Sequence, residues 1–95
     1  MMMQKRIQEM EERFDKSLQA VAELSTALEH YVAVQADLAE LQHYYNSGAW
    51  RRDYEADEAG LLPSDLKRGV LSEDGLWNLL TVQDELLQQM RELCS

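Results

Sequence analysis

The sequence predicts an all-α protein: a long N-terminal helix, an irregular loop with a short helical turn, and a C-terminal helix packed back as an antiparallel hairpin. Three observations carry that expectation. Residues 3–45 contain neither Gly nor Pro, while apolar side chains recur there every three or four positions. Three of the four glycines and the only proline fall within 46–72. A second apolar stripe, opened by a helix-capping signal at Ser72, then runs over 73–93.

The first element follows from its periodicity. Ile7, Met10, Phe14, Leu18, Val21 and Leu24 begin a stripe that continues through Leu41 to Tyr45, and such spacing puts apolar groups on one helical face. Glu9 with Arg13 and Glu12 with Lys16 stand four apart with the acid first, each pair adding ~0.2–0.5 kcal/mol. From Leu28 through Tyr31 to Val34 the stripe steps by three twice, so a strict heptad slips there. A continuous helix with local overwinding is expected, a bend near His30 being the alternative. Asn46-Ser47-Gly48 supplies residues tolerant of the left-handed backbone that ends helices.

Within the loop, Pro63 to Gly69 reads as one helical turn. Ser64 caps it, Asp65 sits at its positive end and Lys67 and Arg68 near its negative end. A reversal at Ala59-Gly60 is expected to bring Asp53 and Asp57 onto Lys67 and Arg68, with Trp50 packed beneath.

The last helix has the clearest start. Ser72 is placed to cap it, Glu73 and Asp74 favour the positive end of its dipole, and Leu71 and Leu76 have the spacing of a hydrophobic staple. Gly75 in its first turn costs up to ~1 kcal/mol. A close approach to that backbone position would explain it.

Lengths constrain assembly. A helix of about 43 residues spans roughly 65 Å and one of about 21 residues roughly 32 Å. The shorter cannot cover the longer's stripe, so a homodimer with coiled-coil character is expected.

The 95 residues form a single expected domain, 1–95, with a thin core. Nine Lys and Arg against 18 Asp and Glu leave a formal charge of −9. That balance argues against nucleic acid and anionic membranes as partners, since phosphate binding needs clustered basic groups. With no apolar run of membrane-spanning length and no charged-then-apolar leader, a soluble cytoplasmic protein is expected. A lone Cys94 cannot close an internal disulfide and fits a reducing compartment.

Chemistry-bearing patterns are sparse. Asp53, Glu55, Asp57 and Glu58 crowd four carboxylates into six residues, but the EF-hand order fails: Glu58 and Ser64 stand where Gly and Glu belong. His30 and His43 lie thirteen apart and do not share a helical face. No metal-ligand spacing, nucleophile elbow or phosphate-cradling glycine loop is present, and no cofactor is expected. Tyr44, Tyr45, Trp50 and Tyr54 concentrate aromatic surface within eleven residues, and Trp and Tyr dominate interface hot spots. The reading is a non-enzymatic interaction module that pairs with itself and presents the 44–74 loop to a protein partner. Its candidate partner-binding residues are Tyr45, Trp50, Asp53, Tyr54, Asp57, Asp65, Lys67 and Arg68. Two other classes compete with it: a small metal-dependent enzyme using the loop carboxylates, and an acidic DNA-mimicking decoy, for which the carboxylates are too scattered.

The stretch from Tyr44-Tyr45-Asn46-Ser47 through Trp50, Asp53-Tyr54-Glu55 and Asp57-Glu58 to Leu62-Pro63-Ser64-Asp65-Leu66-Lys67-Arg68-Gly69-Val70-Leu71-Ser72-Glu73-Asp74 resembles the shared core of a family of short bacterial helical proteins, a domain of unknown function. That core reads YYxSxxWxxDYExDExGxLPxDLKRGVLSED. The likeness covers about thirty residues closely and the helical flanks only as general pattern. It implies bacterial origin, a cytoplasmic helical protein and no assigned activity.

Overall fold

The computed structural model describes residues 2–95 and is all-α. It divides into two compact units, the first ending at Ala36 and the second covering Asp37–Ser95.

The first unit is built from one long helix, α1 (Met2–Ala33), none of whose residues is buried. The expected continuity to residue 45 is interrupted at Val34, the single residue between the end of α1 at Ala33 and the start of α2 (Gln35–Asn46). The Val34 amide donates to the Tyr31 carbonyl at 3.2 Å, an i→i+3 bond. That is the tighter winding the double step of three demands, because a 3₁₀ turn repeats every three residues. The slip therefore ends the helix three residues beyond His30, at Ala33, instead of being absorbed within it.

In the second unit, α3 (Ala49–Glu58) occupies what the glycine density marked as irregular chain. Gly48 and Gly60 are its boundaries, with φ of +89° and +74°. Gly60 closes α3 in a Schellman motif: the Leu61 amide donates to the Ala56 carbonyl and the Gly60 amide to Asp57, both at 3.0 Å. The reversal expected at Ala59-Gly60 is this motif.

The helical turn expected over Pro63–Gly69 is absent. A single reverse-turn bond, Leu66 amide to Pro63 carbonyl at 3.2 Å, stands in its place, and a 3₁₀ turn begins at Gly69 and ends at Leu71. Ser64 caps nothing; its carbonyl instead accepts a 3.2 Å hydrogen bond from the Arg68 guanidinium. A one-turn helix fixes many dihedrals for one bond, and an Arg68 bond to the carbonyl competes with it.

α4 (Gly75–Cys94) starts two residues later than the capping signal places it: Asp74 precedes its first residue and makes no side-chain cap bond. Ser72 has extended backbone, and its Oγ accepts the Gly75 amide at 3.2 Å, so the serine satisfies the first amide of α4 from the turn that leads into it, in the manner of a cap. Asn78 donates to Asp74 at 2.8 Å, so regular winding follows directly. A Cβ on Gly75 would collide with that Oγ, which is the close approach that explains a glycine here. Leu71 and Leu76, the staple pair, are both buried. The C-terminal helix packs back on the 3₁₀ turn, which α3 also touches. Leu71, Leu76 and Leu80 are the buried apolar residues among those described, so the core sits where the turn meets α4.

Candidate functional site

The Ser47-Gly48 break lets α3 turn back on the end of α2. Ser47 closes α2 by donating its amide to His43 at 2.9 Å, and its Oγ reaches the Tyr44 carbonyl at 3.3 Å. Two pairings then join the helices. The Tyr44 hydroxyl donates to Asp53 Oδ2 at 2.6 Å, and the Tyr45 ring meets Trp50 at a centroid distance of 5.2 Å, tilted by 50°. Trp50 stacks in turn on Tyr54, one helical turn on, at 5.0 Å and 20°. The result is a three-ring stack of half-buried aromatics, a geometry that adds ~0.5–1.5 kcal/mol per pair beyond area burial. Trp50 Nε1 donates to the Val70 carbonyl at 2.8 Å, tying the stack to the 3₁₀ turn.

The second clip is ionic. Arg68 Nη1 donates to Asp57 Oδ1 at 2.5 Å, with side chains 32 % and 21 % exposed, while its Nη2 holds the Ser64 carbonyl. The chain from Gly60 to Arg68 is thereby closed against α3. Of the expected charge pairs this one forms. Asp53 is taken by Tyr44 instead, and Asp65 and Lys67 are exposed, with no ion pair among the described residues.

Two phenols carry the electrostatic signature of the region. Tyr44 is pushed up to about 12, first by burial and then by its hydrogen bond to Asp53 and the charge of that carboxylate. Tyr54 is raised above its ordinary value, chiefly by the charge of Glu58, with desolvation and the charges of Glu73, Asp57 and Asp74 adding. The acidic start of α4 therefore acts on the α3 aromatic face.

The structure brings Tyr45, Trp50 and Tyr54 into one stack and Asp57 and Arg68 into one ion pair. Asp65 and Lys67 stand outside both. Tyr44 is not among the candidates the sequence singles out, although it fixes Asp53. No helical period links residues nine apart across a chain reversal, so only the pairing of α2 with α3 reveals it. Trp50 and Tyr54, four apart, do carry a helical signal for α3. Trp77 is 53 % exposed on α4 and does not join the stack. Among the described residues no group of three or more His, Cys, Asp or Glu converges as a metal ion requires, and no helix is long and apolar enough to cross a membrane.

A family model described as a domain of unknown function (DUF4298) matches residues 7–93. No curated protein and no solved structure matches the chain.

Proposed function

This chain belongs to the DUF4298 family, and on that premise we propose that it is a non-enzymatic, cytoplasmic protein–protein interaction module that pairs with itself and presents its 44–74 region to a protein partner. The observation that carries this reading is α1: 32 residues long, apolar along one stripe, and without a single buried residue. A helix in a protein owes most of its stability to packing of its apolar face and little to propensity. A second copy of the chain supplies that packing.

The 44–74 region supports the other half of the reading. The clips at Val70 and Asp57 hold it in one conformation, and a pre-organised surface loses less entropy on binding. Tyr54, Asp65 and Lys67 give it an aromatic edge beside free charges of both signs, the composition of interface centres and rims. Asp53 and Asp57 hold Tyr44 and Arg68, a structural use of these carboxylates that supports the non-enzymatic reading.

The test is affinity capture from a bacterial lysate with the wild type and a Tyr54→Ala/Lys67→Glu variant of unchanged circular dichroism. The reading expects a protein retained by the wild type and lost by the variant. Identical retention by both would remove the 44–74 region as the binding surface.

A further inference from the structure

We infer that α1 forms a parallel, in-register, two-stranded coiled coil with α1 of a second copy of this chain. The inference deepens the self-pairing proposed above and rests on it.

The heptad is explicit once α1 is taken by itself. Its a positions are Ile7, Phe14, Val21 and Leu28, and its d positions are Met3, Met10, Ser17, Leu24 and Tyr31. Eight of these nine positions are apolar or aromatic, four heptads of the a/d seam that two-stranded coils pack knobs-into-holes. From Ile7 to Leu28 the apolar seam residues are 44–66 % exposed, and α1 has no buried residue. The next two a positions are Gln35 and Gln42. The a side of the seam thus stops where α1 stops, at the Val34 break, while Leu38 and Tyr45 continue only its d side. Sequence repeat and helix boundary agree that this stripe is a unit of its own. β-Branched Ile7 and Val21 at a, with Leu24 at d, favour two strands over three or four.

Charge selects the orientation. The flanking e and g positions of this seam carry three charges: Arg6 and Arg13 at g, and Glu11 at e. In a parallel pair, g of one chain meets e of the next heptad on the other. Arg6 then faces Glu11 of the second copy, twice by symmetry, and the aliphatic stem of Arg13 lies over Leu18 of the second copy. In an antiparallel pair, g meets g and e meets e. With the seams aligned, Arg13 then meets Ala20 or Ala27, and Glu11 meets Leu18 or Ser25. Neither antiparallel register pairs opposite charges, and the parallel one pairs them on both flanks.

Parallel pairing has a functional consequence. Both chains leave the coil at the same end, so two 44–74 surfaces follow from one place. A partner with two sites then gains effective concentration for its second contact without any new contact being made.

The experiment uses the full chain carrying Ser17→Cys with Cys94→Ser, oxidised mildly and run on a non-reducing gel, beside light scattering of the wild type. In the parallel register the two thiols introduced at position 17 share a layer at disulfide reach, so a cross-linked dimer should form in most of the sample. A Gln19→Cys control on the outer face should stay uncrosslinked. Arg6→Glu and Glu11→Arg should each weaken self-association roughly fivefold to tenfold by replacing attraction with repulsion twice over. Their mixture should recover it as a heterodimer. A wild-type dimer in which Ser17→Cys fails to cross-link, or in which the mixture recovers nothing, overturns the parallel register alone. A wild-type monomer overturns both the register and the self-pairing beneath it.

Discussion

Gly75→Ala is the substitution whose effect the geometry sets most sharply. In the interior of an exposed helix, replacing Gly by Ala stabilises by ~1 kcal/mol, because glycine has more backbone freedom to lose. Here the new Cβ would collide with Ser72 Oγ, the acceptor of the Gly75 amide. Ser72 can escape by rotating its hydroxyl away, but then the cap is lost, at a cost of ~0.5–2 kcal/mol. The two terms nearly cancel, so Gly75→Ala in the wild type should change stability by about −1 to +0.5 kcal/mol. In a Ser72→Ala background the conflict is gone. The nearest remaining atoms, the Gly69 carbonyl at 3.4 Å and Ser72 Cβ at 3.7 Å, are at ordinary contact distance. There the same substitution should stabilise by ~0.5–1 kcal/mol. Urea unfolding of the four proteins, followed by far-ultraviolet circular dichroism at one fixed protein concentration, measures the cycle. Equal stabilisation by Gly75→Ala in both backgrounds would refute the reasoning, since it would mean that Ser72 Oγ does not hold the Gly75 amide.

The other expectations concern the clips and the core. Asp57→Asn and Arg68→Gln should couple by about 1 kcal/mol in a double-mutant cycle, more than a fully exposed pair because both groups are partly shielded; additive effects would show that the two residues act independently. Tyr44 keeps its proton to about pH 12 in the folded chain against about 10 when unfolded. Its contribution is therefore complete below pH 10 and lost as pH rises from 10 to 12. Spectrophotometric titration should show one phenol ionising well after the others, and Tyr44→Phe should remove that late step. Leu76→Ala, at a site 4 % exposed, should cost about 2 kcal/mol or more and unfold much of a unit with so few buried leucines; a melting temperature indistinguishable from wild type would displace the core from Leu76.

What can be read from the chain depends on the range of the interaction. Ser72, Leu71, Leu76 and Gly75 act within a few residues of one another, and their roles at the start of α4 are legible as spacing alone. The Ala59-Gly60 reversal and the Asp57–Arg68 pair are legible for the same reason, since a glycine reversal leaves few routes for the following chain. α3 is hidden because Gly48 and Gly60 resemble loop composition, whereas their positive φ angles make them the two ends of a helix. The break at Val34 is visible as a slip in the stripe, but spacing cannot say whether a helix absorbs a double step of three or ends on it. Tyr44 with Asp53 and Trp50 with the Val70 carbonyl join residues 9 and 20 apart across reversals, and no local pattern encodes them. The part of the site that depends on α2 meeting α3 and the 3₁₀ turn therefore comes from the structure alone.

Self-pairing through α1 is the claim on which the rest of the functional reading stands, and the mass of the intact chain in solution tests it most directly. Sedimentation equilibrium over a micromolar concentration range should give about 22 kDa, twice the 11.0 kDa of one chain. Leu24→Glu/Leu28→Glu should return the mass to that of one chain, because these substitutions bury unpaired charge in the seam. A wild-type mass of 11.0 kDa at high micromolar concentration would contradict the account.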